Sequence, residues 1–195
     1  MIVRSDGIDV PAGGTVPPSA PPGDPVTAVA LRARDGDPDA TEALIRATQV
    51  EVWRFAVALV GAQAADDVTQ DTYLRAFRAL PEFAGRASAR TWLLAICRRA
   101  CADHIRAATR LRRLQERAAA AEQPDVPDAS GLLAVAELLE RLPTERRVAF
   151  VLTQLLGLSY AEAAAVEQIP VGTIRSRVAR CRSDLVAAYR AAQAS

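Results

Sequence analysis

The sequence predicts an all-α protein: two small helical domains joined by a flexible linker. Three observations lead there. Half of the 195 residues are hydrophobic but only 5% are aromatic, and a chain whose apolar content is mostly Ala, Leu and Val favours helix over strand. Apolar positions recur at helical spacing over long stretches, and no alternating strand pattern or internal repeat interrupts them. Between the two periodic blocks lies Gln123-Pro124-Asp125-Val126-Pro127-Asp128-Ala129-Ser130-Gly131, a linker composition.

The first 25 residues hold Pro11, Pro17, Pro18, Pro21, Pro22 and Pro25 with four glycines. They lack the apolar core of a secretory signal and are expected to form a disordered tail. The first domain is expected over residues 26–108. Asp37-Pro38 with Asp39 and Thr41 marks a helix start. Leu44, Ala47, Val52, Phe55 and Leu59 then suit one or two amphipathic helices ending at Gly61. A further helix begins near Ala64, with Val68, Tyr73, Leu74, Phe77 and Leu80 on its apolar side and Pro81 at its end. A loop, Phe83 to Arg90, precedes a long helix capped by Thr91 and running through Trp92, Leu93, Ile96 and Ile105. From Thr109 to Gly131 the pattern fails, so residues 109–131 are read as linker.

The second domain is expected over residues 132–195. Leu132 to Leu142 forms a helix stopped by Pro143; Thr144 to Leu156 forms another, with Gly157 placed as its C-cap. Ser159 and Glu162 then form an S-x-x-E capping box that opens a short helix. Glu167 to Pro170 break it, and a last helix starts near Val171. That helix carries Arg175, Arg177, Arg180 and Arg182 with no acid before Asp184. Two short helices, a tight turn and an arginine-loaded second helix describe a helix-turn-helix, whose second helix enters the DNA major groove. At 100° per residue Ile174, Val178, Cys181 and Leu185 share the packed side. Gly172, Ser176, Ala179 and Ser183 lie opposite, flanked by Arg175 and Arg180. Small residues let a backbone approach the groove floor, and arginines beside them can reach guanine edges or phosphates. Arg177 and Arg182 lie nearer the packed side.

Charge is distributed unevenly. The net charge is +1 and there is no lysine. Yet Asp24 to Asp71 carries four arginines against nine acids, and Arg86 to Arg117 nine arginines against two. An acidic block beside a basic block suggests two different partners. Asp66, Asp67, Gln70 and Asp71 make an acidic edge that either complements a helix N-terminus or docks a basic protein surface. Trp92, beside a loop containing Arg86, Ser88 and Arg90, has the chemistry that unstacked bases need, although a core role competes.

Other classes are disfavoured. Gly-rich phosphate loops and nucleophile elbows are absent, there is one histidine, and no enzyme signature or cofactor is expected. Cys97, Cys101 and His104 share a helix face, but the outer two lie about 10 Å apart along the axis. One tetrahedral ion could take the first pair and not all three, so no metal is expected. The odd cysteine count and the absence of an apolar run of about eighteen residues point to a reducing cytoplasm and no membrane.

Together these residues resemble the sigma-70 family of bacterial transcription initiation factors, specifically the small extracytoplasmic-function group with only regions two and four. The resemblance spans about Val26 to Ala188, apart from the linker. Asp66-Asp67-Val68-Thr69-Gln70-Asp71-Thr72-Tyr73 resembles the family's D-D-x-x-Q-D/E-T/V-F/Y helix, which in the family binds the clamp helices of the largest subunit of RNA polymerase. The resemblance thereby selects the docking reading and implies Asp67, Gln70 and Asp71. Phe83 with Ala89-Arg90-Thr91-Trp92-Leu93 resembles the segment that captures a flipped non-template base of the minus-ten element. It implies Arg86, Ser88, Arg90 and Trp92, with Asp103, His104 and Arg106 in the adjoining recognition helix.

Leu142-Pro143 with Arg147, Gly157-Leu158-Ser159-Tyr160 with Glu162, and Val171 to Arg177 resemble region four. They imply that Thr173, Arg175, Ser176, Arg177, Ala179 and Arg180 read the minus-thirty-five element. Two positions depart from the family: Arg99 stands where members often carry Asn, and Ala89 where a larger apolar residue is common. The implied partners are core RNA polymerase (clamp helices and the flap of the second-largest subunit), promoter DNA and, as an open question, an anti-sigma factor. The competing expectation is a stand-alone helix-turn-helix regulator that binds DNA without polymerase.

Overall fold

The computed structural model describes residues 24–118 and 142–193. The expected tail, most of the expected linker and the expected helix Leu132 to Leu142 therefore lie outside the described residues, apart from Leu142 itself. Among the described residues every regular element is helical.

Local signals set the helix ends of the first domain. Asp24 caps α1 (Pro25–Arg34) by accepting from the Val26 and Thr27 amides at 3.3 and 3.2 Å, and Pro25 takes a first-turn position where no N–H is needed. Asp37 does the same for α2 (Pro38–Val60), accepting from Ala40 at 3.0 Å with Pro38 behind it. Gly61, at φ 79°, ends α2 and admits α3 (Ala62–Ala79) directly. A 3₁₀ turn at Leu80–Glu82 follows α3, and a loop leads to α4 (Ala89–Ala118). One long α2 thus occupies the stretch where one or two helices are expected, and α4 runs on past Thr109.

Leu44, Val52, Phe55, Leu93, Leu94 and Cys97 fill the centre of this bundle. Two expected apolar positions face outward. On α2, Ala47 is exposed and Thr48 is buried instead, its hydroxyl 2.7 Å from the Tyr73 hydroxyl. On α3, Leu74 is 51% exposed, because the face that packs runs through Val68, Thr72, Ala76 and Leu80 and leaves Leu74 off the stripe. The cap of α4 also differs from expectation. Ser88, rather than Thr91, is the cap: its Oγ accepts from the Thr91 amide at 3.1 Å and donates to the Thr91 hydroxyl at 2.9 Å.

The described part of the second block begins at buried Leu142, followed by exposed Pro143. Helix α5 (Thr144–Phe150) passes into a π-helical turn at Val151–Leu155. Gly157, at φ 69°, reverses the chain there, and the Leu158 amide closes on the Leu152 carbonyl at 2.9 Å. Helix α6 (Tyr160–Glu167) opens on the predicted capping box: Ser159 Oγ accepts from the Glu162 amide at 3.2 Å, and Glu162 accepts from the Ser159 amide at 2.8 Å. Gln168 in the left-handed conformation (φ 57°) ends α6, and α7 (Val171–Gln193) follows. Ile174, Val178 and Cys181 of α7 are buried where α7 packs on α5 and α6, as are Val148, Ala163 and Val166 of those helices.

The two blocks touch. Helix α4 packs on α6, and α2 meets α5. Arg98 Nε lies 2.6 Å from Glu167 Oε1, and Arg177 donates to Glu167 Oε2 at 3.2 Å. Glu167 is 5% exposed, so a single desolvated carboxylate joins α4, α6 and α7.

Candidate nucleic-acid and docking surfaces

The helix-turn-helix surface follows from the packing of α7. With Ile174, Val178 and Cys181 turned inward, Gly172, Ser176, Ala179 and Ser183 are exposed on the opposite side. Arg175 and Arg180 are exposed beside them. Ser176 Oγ donates back to the Thr173 carbonyl at 2.9 Å, which keeps the stripe low and leaves its oxygen able to accept. The Arg175 guanidinium stands 6.0 Å from the Tyr160 ring, which guides it along the start of α6. Thr173 is half-buried at the first turn. Arg177 is turned from this surface onto Glu167, and Arg182 donates to Gln154 Oε1 at 2.6 Å. Of the six residues implied for the minus-thirty-five element, Arg175, Ser176, Ala179 and Arg180 share one exposed face.

The acidic edge of α3 is also outward. Asp66, Asp67 and Gln70 are exposed; Asp71 is half-exposed and paired with Arg75 at 2.8 Å. Asp67 and Asp71 line an open groove of about 450 Å³ between α3 and α4, shared with Arg75, Asp103, His104 and Arg106. Arg75 also reaches Asp103 at 2.5 Å, and Asp103 pairs with Arg106. The Arg75 guanidinium, with a smaller contribution from Arg106, holds the Asp103 carboxyl below the ordinary carboxylate range. The acidic edge and the expected minus-ten helix are thus walls of one groove.

A second wall of the edge escapes the sequence reading. On α2, Val50 and Trp53 are 54% and 41% exposed, and Trp53 Nε1 donates to Asp66 at 2.8 Å. With Gln49, Arg54 and Thr69 they line a further groove of about 440 Å³. The available signal was the i, i+3 spacing of two large apolar side chains off the stripe made by Leu44, Val52 and Phe55.

The loop before α4 divides. Arg86 is exposed, after Gly85 at φ 67°. Ser88 is 7% exposed and its hydroxyl is committed to the α4 cap, so it offers nothing to a base. Arg90 binds both carboxylate oxygens of Glu51 and the Leu156 carbonyl, which removes it from the loop surface. Trp92 is half-buried against Phe83, ring centroids 4.7 Å apart. Asp103 and His104 are half-buried and Arg106 exposed on one stretch of α4. Cys97 and Cys101 are fully buried. They face the bundle, Cys97 Sγ 3.8 Å from the Val52 carbonyl, while His104 lines the groove.

An exposed arginine-flanked recognition helix in one helical block, and an acidic edge beside a basic helix in the other, define a transcription protein that holds DNA and a protein partner at once. The sigma-70 region 2 family description matches residues 44–111, and that of sigma-70 region 4 matches residues 132–185. The Mycobacterium tuberculosis ECF RNA polymerase sigma factor SigC is 53% identical over 167 residues, covering 83% of this chain and 90% of that protein. Among solved structures, CnrH in complex with the cytosolic domain of CnrY superposes with TM-score 0.69 at 30% identity, covering 86% of this chain and 99% of that one. RpoE from Bartonella quintana, in complex with the anti-sigma factor NepR, superposes with TM-score 0.62 at 27% identity over 74% of this chain and 92% of that one. The chain belongs to the sigma-70 family and is an RNA polymerase sigma factor of the extracytoplasmic-function group. As such it binds core polymerase and directs promoter-specific initiation, and the stand-alone regulator is set aside.

Proposed function

We propose that region 2 of this chain docks on polymerase through Asp67, Gln70 and Asp71, extended by Trp53 and Val50. Arg86, with Asp103, His104 and Arg106 on α4, engages the minus-ten element. Arg175, Ser176, Ala179 and Arg180 engage the minus-thirty-five element, with Thr173 at the groove edge. The observation that carries the reading is the α7 surface: small exposed residues along the centre, arginines on both flanks and a buried apolar face behind. A major groove accepts such a face and rewards each bidentate arginine contact with about 1–3 kcal/mol of discrimination.

The protein acts by placement, without covalent chemistry of its own. Docking brings region 2 to the melting edge of the promoter, and capture of an extruded base offsets part of its unstacking cost of a few kcal/mol. Region 4 anchors upstream, so each domain raises the effective concentration of the other. Arg177 stays with Glu167, since both belong to region 4, and is left out of the groove contacts; parting the two blocks takes only Arg98 from that carboxylate. The domains are assigned to residues 26–108 and 132–195 and the site of action to the cytoplasm, where polymerase and promoter meet. Solved relatives bound to CnrY and to the anti-sigma factor NepR support a protein antagonist for this chain as well.

Substituting Arg175→Ala tests the assignment. Run-off transcription with core polymerase from a minus-thirty-five-dependent promoter, selected from fragmented genomic DNA, should fall at least tenfold. Normal output would overturn the groove assignment.

A further inference from the structure

The Arg75 side chain pairs with a carboxylate on each of the two working helices of region 2, α3 and α4. It leaves α3 one turn after Asp71 and places NH2 2.8 Å from the Asp71 carboxylate. Its NH1 lies 2.5 Å from Asp103 on α4. Asp103 is itself shared, accepting from Arg106 as well. Charges therefore alternate along a line, Asp71, Arg75, Asp103, Arg106, that crosses the groove from the acidic edge to the basic helix. All four are between one-third and two-thirds exposed, so each link is exchangeable and none is locked by burial.

We propose that Arg75 is a positioning residue coupling polymerase docking to DNA capture: a cation brought against Asp71 turns Arg75 wholly onto Asp103, which releases Arg106 for a phosphate. The inference rests on the assignment of Asp71 to docking and of Arg106 to DNA. Before docking, Arg75 divides its donors between two carboxylates, and Asp103 draws on Arg106 to complete its own neutralisation. A basic side chain from the partner satisfies Asp71 and ends the division. Asp103, now bound by both forks of Arg75, no longer needs Arg106. Arg106 is the most exposed of the four and the least held, with 67% of its side chain accessible. Linkage makes the effect reciprocal: a phosphate on Arg106 strengthens the hold of Asp71 on a basic partner by the same factor.

A plain staple between α3 and α4 would predict lost stability on breaking Arg75, but no connection between Asp71 and DNA. The test uses the full chain, free of polymerase, with a fluorescein-labelled single-stranded oligonucleotide of random sequence at low salt. Asp71→Asn mimics the satisfied carboxylate and should tighten binding about two- to five-fold, the scale of one partly exposed ion pair. Asp67→Asn removes the same charge outside the relay and should gain less. In an Arg75→Gln background the Asp71→Asn gain should vanish, and in an Arg106→Gln background likewise. Equal gains from Asp67→Asn and Asp71→Asn, or an undiminished Asp71→Asn gain with Arg75→Gln, would overturn the relay. Urea midpoints confirm that each variant is folded. The docking assignment is checked separately by co-purification of Asp71→Arg with core polymerase. Retained binding there would count against docking while leaving the oligonucleotide result to judge the relay.

Discussion

Ser88 and Arg86 sit two positions apart in one loop and do different work. Ser88 is buried and spends its hydroxyl on the first turn of α4, whereas Arg86 is exposed. Loss of an N-cap costs about 0.5–2 kcal/mol, and Ser88→Ala also strands the buried Thr91 hydroxyl. Ser88→Ala should therefore lower the urea-unfolding free energy by about 1–2 kcal/mol, while Arg86→Ala leaves it within about 0.5 kcal/mol and weakens binding of single-stranded DNA. Equal stability of the two variants would contradict the cap. Cys181 gives a pH-dependent case. Burial first, with Asp184 adding, pushes its thiol up to about 11 from the ordinary 9. A raised value means the folded state holds its proton longer than the unfolded chain. The stabilisation is complete below pH 9 and is lost as pH rises from 9 through 11. Urea midpoints should fall over that window, and Cys181→Ala should flatten the fall; an unchanged slope would remove Cys181 as its source.

At the scale of elements, helix ends were legible because their chemistry is local. Asp37-Pro38, the Ser159–Glu162 box, Gly61 and Gly157 all act where the sequence placed them. The groove-facing stripe of α7 was equally legible, since a helix with one clearly apolar side fixes the opposite side by geometry alone. What failed was assignment within a stripe: Leu74 for α3 and Ala47 for α2. The register of a stripe depends on the angle at which a neighbouring helix crosses it, and that angle is not written in one helix. Trp53 shows the converse, an aromatic off the stripe that becomes half of a surface once α3 lies beside it.

At the scale of the whole molecule, Glu167 governs how the two blocks meet. Its carboxylate, 5% exposed, holds Arg98 of α4 and Arg177 of α7. Removing one partner from such a buried cluster costs roughly 3–5 kcal/mol when the charges stay buried. Here Arg98 and Arg177 can rehydrate if the blocks separate, so the expected result of Glu167→Ala is separation rather than unfolding. Amide hydrogen exchange should speed up along the α4 and α6 faces that meet, while amides of α3 and of the α7 core side keep their protection. Global loss of protection would place Glu167 in the folding of region 4 instead.

The sequence by itself determined the helical class, the order of the two regions, the helix-turn-helix and the acidic and basic faces. Each of these follows from residues within a few turns of one another: a cap, a turn glycine, a period of 3.6. Only the tertiary structure decided which polar groups remain free to act. Arg90 and Glu51 are 39 residues apart, and Arg98 and Glu167 are 69 apart. Arg75 meets Asp103 across 28 residues. Side-chain pairing over such separations is set by how helices cross and by which charges burial forces together, and helical periodicity carries neither.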